Sequence, residues 1–163
     1  MVLAQEILVL EVGLLLFVIK MEKLDIYTDG SCFGNPGPGA WAFIIKDKNG
    51  KTLEFTGSEN HTTNNKMELI AVIKALSYIK KKAGLNIYTD SKYVKDGITN
   101  WINKWKLNGW KTANKKVVKN SDLWKELDKK TNLHIINWFC VKAHNQNVLN
   151  ERADTLAKSA IKS

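Results

Sequence analysis

Two short stretches of this sequence share one pattern, and they decide how the fold is predicted. Residues 25–31 have the sequence DIYTDGS and residues 86–91 have the sequence NIYTDS. Each is an apolar strand pattern that ends in Thr-Asp, so Asp29 and Asp90 occupy equivalent places. In open α/β sheets, ligands bind outside the carboxyl ends of the strands. If the two strands are parallel neighbours, the two carboxylates meet at that edge.

The pattern around these stretches predicts an α/β domain with a sheet of mixed direction. Glycine and proline mark residues 30–39 as a loop, and Asn-Gly within residues 48–50 predicts a hairpin turn. Apolar residues three or four apart predict a helix at residues 65–82 and another at the end of the chain. The predicted strands are residues 24–28, 40–46, 52–56, 85–89 and 134–141. A helix-rich stretch covers residues 91–131. The apolar face of the last helix holds Leu149, Ala153, Leu156, Ala157 and Ala160.

Composition describes a single basic globular domain. The chain has 163 residues, 44% of them hydrophobic, and a net charge of +9 to which Arg152 contributes the single arginine. A field of that sign favours a polyanionic partner, either nucleic acid or an anionic membrane. Cys32 and Cys140 form no disulfide framework, so the sequence indicates a reducing, cytoplasmic compartment.

The first twenty residues differ from the rest in being strongly apolar. Their longest run without a charge or an amide is residues 12–19, which is short of the roughly 20 residues that span a bilayer. A basic segment of the kind that opens a signal peptide does not precede that run. We interpret residues 1–20 as an upstream start or an added hydrophobic element, with a membrane anchor as the alternative. The functional domain is expected at residues 21–163.

Two further acids join Asp29 and Asp90 as candidates. Glu68 lies in a strongly apolar segment, where an unpaired charge is costly, and Asp154 lies on the last helix. Carboxylates drawn together repel one another unless a cation lies between them. A site made of carboxylate oxygens suits Mg²⁺ or Mn²⁺ rather than Zn²⁺. The four acids together therefore predict a divalent-metal site.

Each acid also has a purely structural interpretation. Asp29 and Asp90 are in places where aspartate commonly begins a turn or caps a helix. Glu68 follows three residues after Asn65, as in a capping box. Asp154 is four residues before Lys158, a spacing at which an exposed ion pair forms on a helix. The sequence alone leaves these alternatives open.

One histidine and one basic segment complete the candidates. His144 lies in a predicted loop, where it is either a surface residue or a group that carries a proton near a reaction centre. In the segment that follows residue 100, tryptophans alternate with lysines, and this pattern fits either core packing or a groove that follows a nucleic-acid backbone. The residues are Trp101, Trp105 and Trp110 with Lys104, Lys106, Lys111, Lys115, Lys116 and Lys119.

These motifs resemble type 1 ribonuclease H, in particular the bacterial kind. The resemblance covers about residues 22–162, in order and at the spacing of that family. It is carried by YTDGSC at 27–32, TTNNKMEL at 62–69, YTDSKYV at 88–94, residues 101–124 with GWKT at 109–112, VKAH at 141–144 and NERAD at 150–154. Ala143 departs from it, because many relatives have glycine before the histidine.

The resemblance implies a five-stranded mixed sheet of order 3-2-1-4-5 with flanking helices. It implies an endonuclease that hydrolyses the RNA strand of RNA–DNA hybrids with two Mg²⁺ ions, or Mn²⁺ as a substitute, and leaves 5′-phosphate and 3′-hydroxyl ends. Asp29 would bridge the two ions, Asp154 would help to hold the ion that activates water, and Glu68 with Asp90 would hold the other. His144 would assist proton transfer or product release. The partner would be the hybrid and not a membrane, and the protein would be a monomer.

The resemblance also implies which residues contact nucleic acid. Thr63 looks like part of a pocket for a phosphate of the DNA strand, and the segment with Trp101, Trp105, Trp110, Lys104, Lys106, Lys115 and Lys116 looks like a basic protrusion that holds that strand. The other implied contacts to the hybrid are Cys32, Asn35, Asn64 and Asn65.

Removal of residues 1–20 is the first testable expectation. A chain that starts at Met21 should cleave a labelled hybrid at the rate of the full chain, because all the matched motifs lie after that residue. Steady-state cleavage and circular dichroism of both forms check this. A shortened chain that fails to fold would show that the apolar extension is part of the core.

Overall fold

The architecture is a five-stranded sheet with helices on both faces. The computed structural model describes residues 21–141 and 147–162. The strands lie in the order β3-β2-β1-β4-β5, with β1–β2 and β2–β3 antiparallel and β1–β4 and β4–β5 parallel. This confirms the mixed sheet and its expected order. The strands are β1 Lys23–Cys32, β2 Gly37–Lys46, β3 Thr52–Thr62, β4 Gly84–Thr89 and β5 Ile135–Cys140.

The first three strands are longer than the sequence pattern predicts. The loop predicted at residues 30–39 shrinks to four residues, because Ser31 pairs with Ala40 and Cys32 pairs with Gly39. β3 continues to Thr62, which pairs with Gly37 beyond a register shift. Glycine-rich strand ends of this kind lack the alternation of apolar and polar residues by which strands are recognised. The extension matters because it carries β1 past Asp29.

The helix after β3 is shorter than predicted. Helix α1 spans Asn64–Tyr78, and the Thr63 hydroxyl caps it by accepting a hydrogen bond from the Lys66 backbone N–H at 3.4 Å. The sequence predicted its end at residue 82, but Ile79 is already extended, with φ −84° and ψ 100°. The lysines at 80–82 are exposed, and this segment leads from the end of the helix into β4.

The other helices lie between β4 and β5 or after β5. Ser91 caps the short α2 Lys92–Asp96 by accepting from Val94 N–H, and a π-helical turn at Gly97–Trp101 joins it to α3 Ile102–Leu107. Helix α4 spans Ser121–Thr131, and α5 spans Val148–Ala160. Within the described residues, none of the helices combines the length and the apolar composition that crossing a bilayer requires.

Two cores of unequal size lie on the two faces of the sheet. The larger core packs one face against α1, α2 and α4, and Trp124 is its largest fully buried side chain. The smaller core lies on the other face, where Tyr27 and Ile44 pack against Ala153 of α5. Alternate residues of β1 and β2 therefore belong to different cores. A bidentate ion pair between Arg152 and Glu54, at 2.9–3.0 Å, also ties α5 to β3.

One glycine in the larger core gives a stability prediction. A Cβ atom at Gly97 would overlap the indole ring of Trp124, which is fully buried and has no room to move. Gly97→Ala should lower the free energy of unfolding by about 1–3 kcal/mol. Gly84→Ala is the matched control, since its Cβ would lie no closer than 3.6 Å to any neighbouring atom, and it should change stability by about 0.5 kcal/mol or less. Urea unfolding followed by tryptophan fluorescence measures both, and equal effects would contradict the packing described.

Candidate active site

Asp29 and Asp90 lie side by side at one edge of the sheet. Strands β1 and β4 are parallel, and Thr28 pairs with Thr89, so the two aspartates follow at equivalent positions. Asp29 is buried, with 3% of its surface exposed, and Asp90 is half-buried. The helix cap beside them is Ser91, not Asp90. The strand order implied by the resemblance is confirmed, and it brings the two carboxylates together.

Glu68 reaches the same place from α1. It is buried, and Gly30 allows the close approach, because a Cβ atom at Gly30 would overlap the backbone of Met67 and Glu68. The backbone N–H of Gly30 donates a hydrogen bond to the Glu68 carboxylate. The capping-box interpretation of Glu68 is wrong, since Thr63 is the cap. Gly30 was missed as a functional residue in the sequence, although a glycine within a strand is a sign of close backbone approach.

Together these three acids form an oxygen cage of the size that a metal ion needs. One ligand oxygen from each of Asp29, Glu68 and Asp90 lies within 4.8 Å of the others. Oxygens bound to one Mg²⁺ at about 2.0–2.1 Å are about 3–4 Å apart, so only small side-chain adjustments are required. Asp29 Oδ2 and Glu68 Oε2 are buried without a hydrogen-bond partner. A hard divalent cation fits this donor set.

The electrostatics of the cluster also call for a cation. Burial raises the pKa of Asp29 to about 8, and the charges of Asp90 and Asp154 act in the same direction. Burial likewise raises the pKa of Glu68 well above its usual range, with Asp29 and Asp90 adding to the effect and the Gly30 hydrogen bond opposing it. The ionised carboxylates are therefore disfavoured, and a bound cation would stabilise them.

Asp154 lies beside this cage rather than within it. It is on α5 next to Ala153, on the face of β1 that carries Tyr27 and Asp29. Its charge raises the pKa of both Asp29 and Glu68. It also accepts a hydrogen bond from Lys158 Nζ at 2.8 Å, so the ion pair considered from the sequence does form. The ion pair and the action of the Asp154 charge on the other acids therefore occur together.

The polar residues expected to contact nucleic acid gather near the start of α1. Asn35 Oδ1 accepts a hydrogen bond from the Asn64 backbone N–H at 3.2 Å, which joins the loop at 33–36 to the helix. Cys32 lies against the same loop, with its thiol 2.8 Å from the Gly34 carbonyl oxygen. Thr63 and Asn65 are half-exposed beside them. His144 lies outside the described residues, so its role stays a prediction.

The basic segment divides into an aromatic side and a charged side. Trp105 and Trp110 are partly buried against the larger core, and Trp105 contacts the ring of Trp124 at a centroid distance of 5.3 Å. Trp101 is more exposed, at 37%. The four lysines that the resemblance implies as contacts to the DNA strand are exposed, although Lys106 is paired with Asp128 at 2.9 Å. Packing therefore accounts for Trp105 and Trp110, while the lysines Lys104, Lys106, Lys115 and Lys116 face solvent.

Comparison with known proteins decides the family. The model of the RNase H family matches residues 21–162. The chain belongs to the RNase H family. It is 58% identical to the ribonuclease H of Wolbachia pipientis wMel over 143 residues, which are 88% of this chain and 98% of that protein. It is 54% identical to the ribonuclease H of Ehrlichia chaffeensis, over 87% of this chain and 97% of that protein. These relatives are ribonucleases H, so this RNase H is an endoribonuclease.

Solved structures show the same fold. LC9-RNase H1, a type 1 RNase H with the type 2 active-site motif, superposes with a TM-score of 0.77 at 31% identity, over 86% of this chain and 72% of that one. LC11-RNase H1 in complex with an RNA/DNA hybrid superposes with a TM-score of 0.63 at 23% identity, over 85% and 96%. The second likeness concerns the fold alone. Both agree with the five-stranded sheet described above.

The raised pKa of Asp29 predicts how stability depends on pH and metal. In EDTA, the unfolded chain loses a proton near pH 4 that the folded chain retains until about pH 8, so wild-type stability should fall across that window. The Asp29→Asn variant lacks this titrating carboxyl group, so its stability should not fall across the window. At pH 8 it should be more stable than wild type by about 2–5 kcal/mol. Adding Mn²⁺ should stabilise the wild type more than the variant.

Thermal and urea unfolding at pH 5 and pH 8, with EDTA or Mn²⁺, measure both effects. Asp122→Asn on the exposed first turn of α4 is the control, because it removes one negative charge away from the cluster. A wild type whose stability is flat between pH 4 and pH 8 would contradict the strained cluster.

Proposed function

We propose that this RNase H hydrolyses the RNA strand of RNA–DNA hybrids by two-metal catalysis and leaves 5′-phosphate and 3′-hydroxyl ends. The observation that carries the proposal is the position of four acids at one edge of the sheet. Asp29, Glu68 and Asp90 form the oxygen cage, and the charge of Asp154 acts on the first two. Membership of the RNase H family supports the hybrid as substrate.

We propose one place for each ion from the positions of the four acids. Asp29 would contact both, because it belongs to the cage and lies in the field of Asp154. Glu68 and Asp90 would complete the position on the leaving-oxygen side, and Asp154 would hold the position on the side of the attacking water. When bound, a pair of Mg²⁺ ions activates the water and stabilises the charge that develops on the phosphate and the leaving oxygen. Mn²⁺, with the same preference for oxygen ligands, would substitute.

The protein's own groups orient the substrate and move protons. The Asn35–Asn64 hydrogen bond fixes the loop at 33–36 against the start of α1, so that the polar residues of both segments lie on one surface. We assign contacts to the hybrid to this surface, with Cys32, Thr63 and Asn65 at its border. His144 is proposed to carry a proton to or from the reaction centre, a role suited to an imidazole that titrates near neutral pH.

The exposed lysines of the basic segment are proposed to hold the DNA strand. The net charge of +9 gives the whole molecule an attraction for a polyanion. Lys104 on α3, and Lys115 and Lys116 between α3 and α4, are exposed to solvent, so their charges are available to phosphates. Such contacts neutralise phosphates and bind ground state and transition state alike, so they would contribute affinity rather than rate.

Replacement of the shared acid tests the reaction. Asp29→Asn should abolish cleavage of a labelled hybrid in Mg²⁺ while hybrid binding survives, because the loss of one charge disturbs both ion positions. Cleavage within about tenfold of wild type would mean that Asp29 is not a shared ligand, since tenfold is about 1.4 kcal/mol. Asp122→Asn should retain wild-type activity. The same RNA as a duplex and as a single strand, each with Mg²⁺ or EDTA, should remain intact.

A second experiment concerns the basic segment. Changing Lys104, Lys106, Lys115 and Lys116 to Gln should raise the Michaelis constant for the hybrid and change saturated turnover little. Each lost phosphate contact should reduce the slope of log affinity against log salt by roughly 0.7–0.9. Binding in Ca²⁺ at several salt concentrations gives that slope.

The chain provides a charge-matched control at the other end of the sheet. Lys48, Lys51, Lys80 and Lys81 are exposed around the β2–β3 turn and the end of α1, far along β1 from Asp29. Their replacement by Gln removes the same net charge and should leave the slope nearly unchanged. Equal slopes in the two quadruple variants would show that the affinity comes from net charge and not from the basic segment.

A further inference from the structure

Lys158 is a basic side chain that forms an ion pair with the fourth acid of the carboxylate cluster. Its Nζ atom lies 2.8 Å from Asp154 Oδ2, one helical turn further along α5. The Asp154 side chain is 28% exposed and that of Lys158 is 57% exposed, so the pair is at the rim of the site and open to solvent. One oxygen of the fourth acid is therefore already bound by an ammonium group.

The influence of this ammonium extends past its partner. Its positive charge opposes the rise in the pKa of Asp29, and among the described residues that act on Asp29 it is the one cation. In turn Asp154, Asp29 and Asp90 all raise the pKa of Lys158. Lys158 thus lies in the combined field of three of the four acids. It supplies, from the chain itself, part of the positive charge that the cluster requires.

A divalent ion at Asp154 would have to share or displace that ammonium. We propose that Lys158 is a built-in counter-charge that competes with the divalent cation for Asp154 and so sets the cation concentration at which the second position fills. This rests on the proposed function, which places one ion at Asp154. The first position has its own three acids, Asp29, Glu68 and Asp90, and depends less on Lys158.

The competition is a modest adjustment rather than an exclusion. Exposed ion pairs are weak, and a divalent ion is attracted to a carboxylate more strongly than an ammonium is. Lys158→Gln should therefore tighten the second binding step roughly threefold to tenfold. The first step should tighten less, through the long-range charge alone. Lys158→Arg retains the charge and should bind like the wild type.

The experiment is a Mn²⁺ titration of the free full-length protein. Calorimetry gives the affinities, and the electron paramagnetic resonance signal of unbound Mn²⁺ gives the number of ions bound. Lys129→Gln is the charge-matched control, because this exposed lysine lies on α4. A tighter second step in Lys158→Gln, or a second step that appears only in that variant, supports the proposal. An unchanged titration, a single step in both proteins or a weaker second step overturns it.

A double-mutant cycle shows whether Lys158 acts through Asp154. In the Asp154→Asn background the second step should be lost, and Lys158→Gln should then change the remaining step little. If Lys158→Gln tightens the remaining step in that background as much as it tightens the second step of the wild type, Lys158 acts as a general field and the proposal fails.

Hybrid cleavage by the same proteins separates this proposal from the proposed function. The competition predicts that Lys158→Gln reaches half-maximal cleavage at a lower Mn²⁺ concentration. A protein that binds Mn²⁺ as predicted and does not cleave the hybrid would refute the proposed function alone. If the protein cleaves the hybrid but Lys158→Gln leaves the Mn²⁺ titration unchanged, only the counter-charge proposal is refuted.

Discussion

The repulsion between carboxylates at the ends of two parallel strands is the constraint on which the rest of this structure depends. Burying Asp29 beside Asp90 and Glu68 is unfavourable in the absence of a cation, and the raised pKa of Asp29 expresses that cost. The sheet, α1 and Gly30 must hold the acids in place against this repulsion. The larger core provides the rigidity, because β1, β4 and α1 all contribute to it. Stability elsewhere in the fold thus maintains an arrangement that is strained by itself.

Much of this was accessible from the sequence, for identifiable reasons. The repeated Thr-Asp ending fixed Asp29 and Asp90 at equivalent places, since a strand pattern and a shared phase are local properties. The hairpin at residues 48–50 was predicted for the same reason, and Gly50 does adopt a left-handed conformation with φ +81°. Family resemblance then supplied the strand order, which no local pattern contains. The two sources of inference were complementary, because one concerns neighbours in the chain and the other concerns neighbours in space.

What the sequence did not predict depended on tertiary contacts. Residues 31 and 32 pair with residues 40 and 39, where a Cβ atom at Gly39 would overlap the Ser31 carbonyl oxygen, and composition alone made that segment look like a loop. The end of α1 at Tyr78 was also missed, because the apolar spacing continues to Ile79 and the extended backbone there is not visible in the sequence. Glu68 and Asp154 each had a local explanation, and only the packing showed that the first was wrong and the second was incomplete. The structural use of Trp105 is a similar case, since its neighbour Trp124 is distant in the chain.

The four acids of the site are supported by cores of different size. Three of the acids belong to elements of the larger core, whereas Asp154 is carried by α5, which rests on a small cluster around Tyr27 and Ile44 and on the Arg152–Glu54 pair. Proteins open in cooperative units whose free energies follow the apolar contacts that each unit buries. The amides of α5 should therefore exchange with solvent at a lower opening energy than those of β1 and α1. Partial opening would separate the fourth acid from the cage while the sheet remains folded, so catalytic competence would be lost before the native fold is.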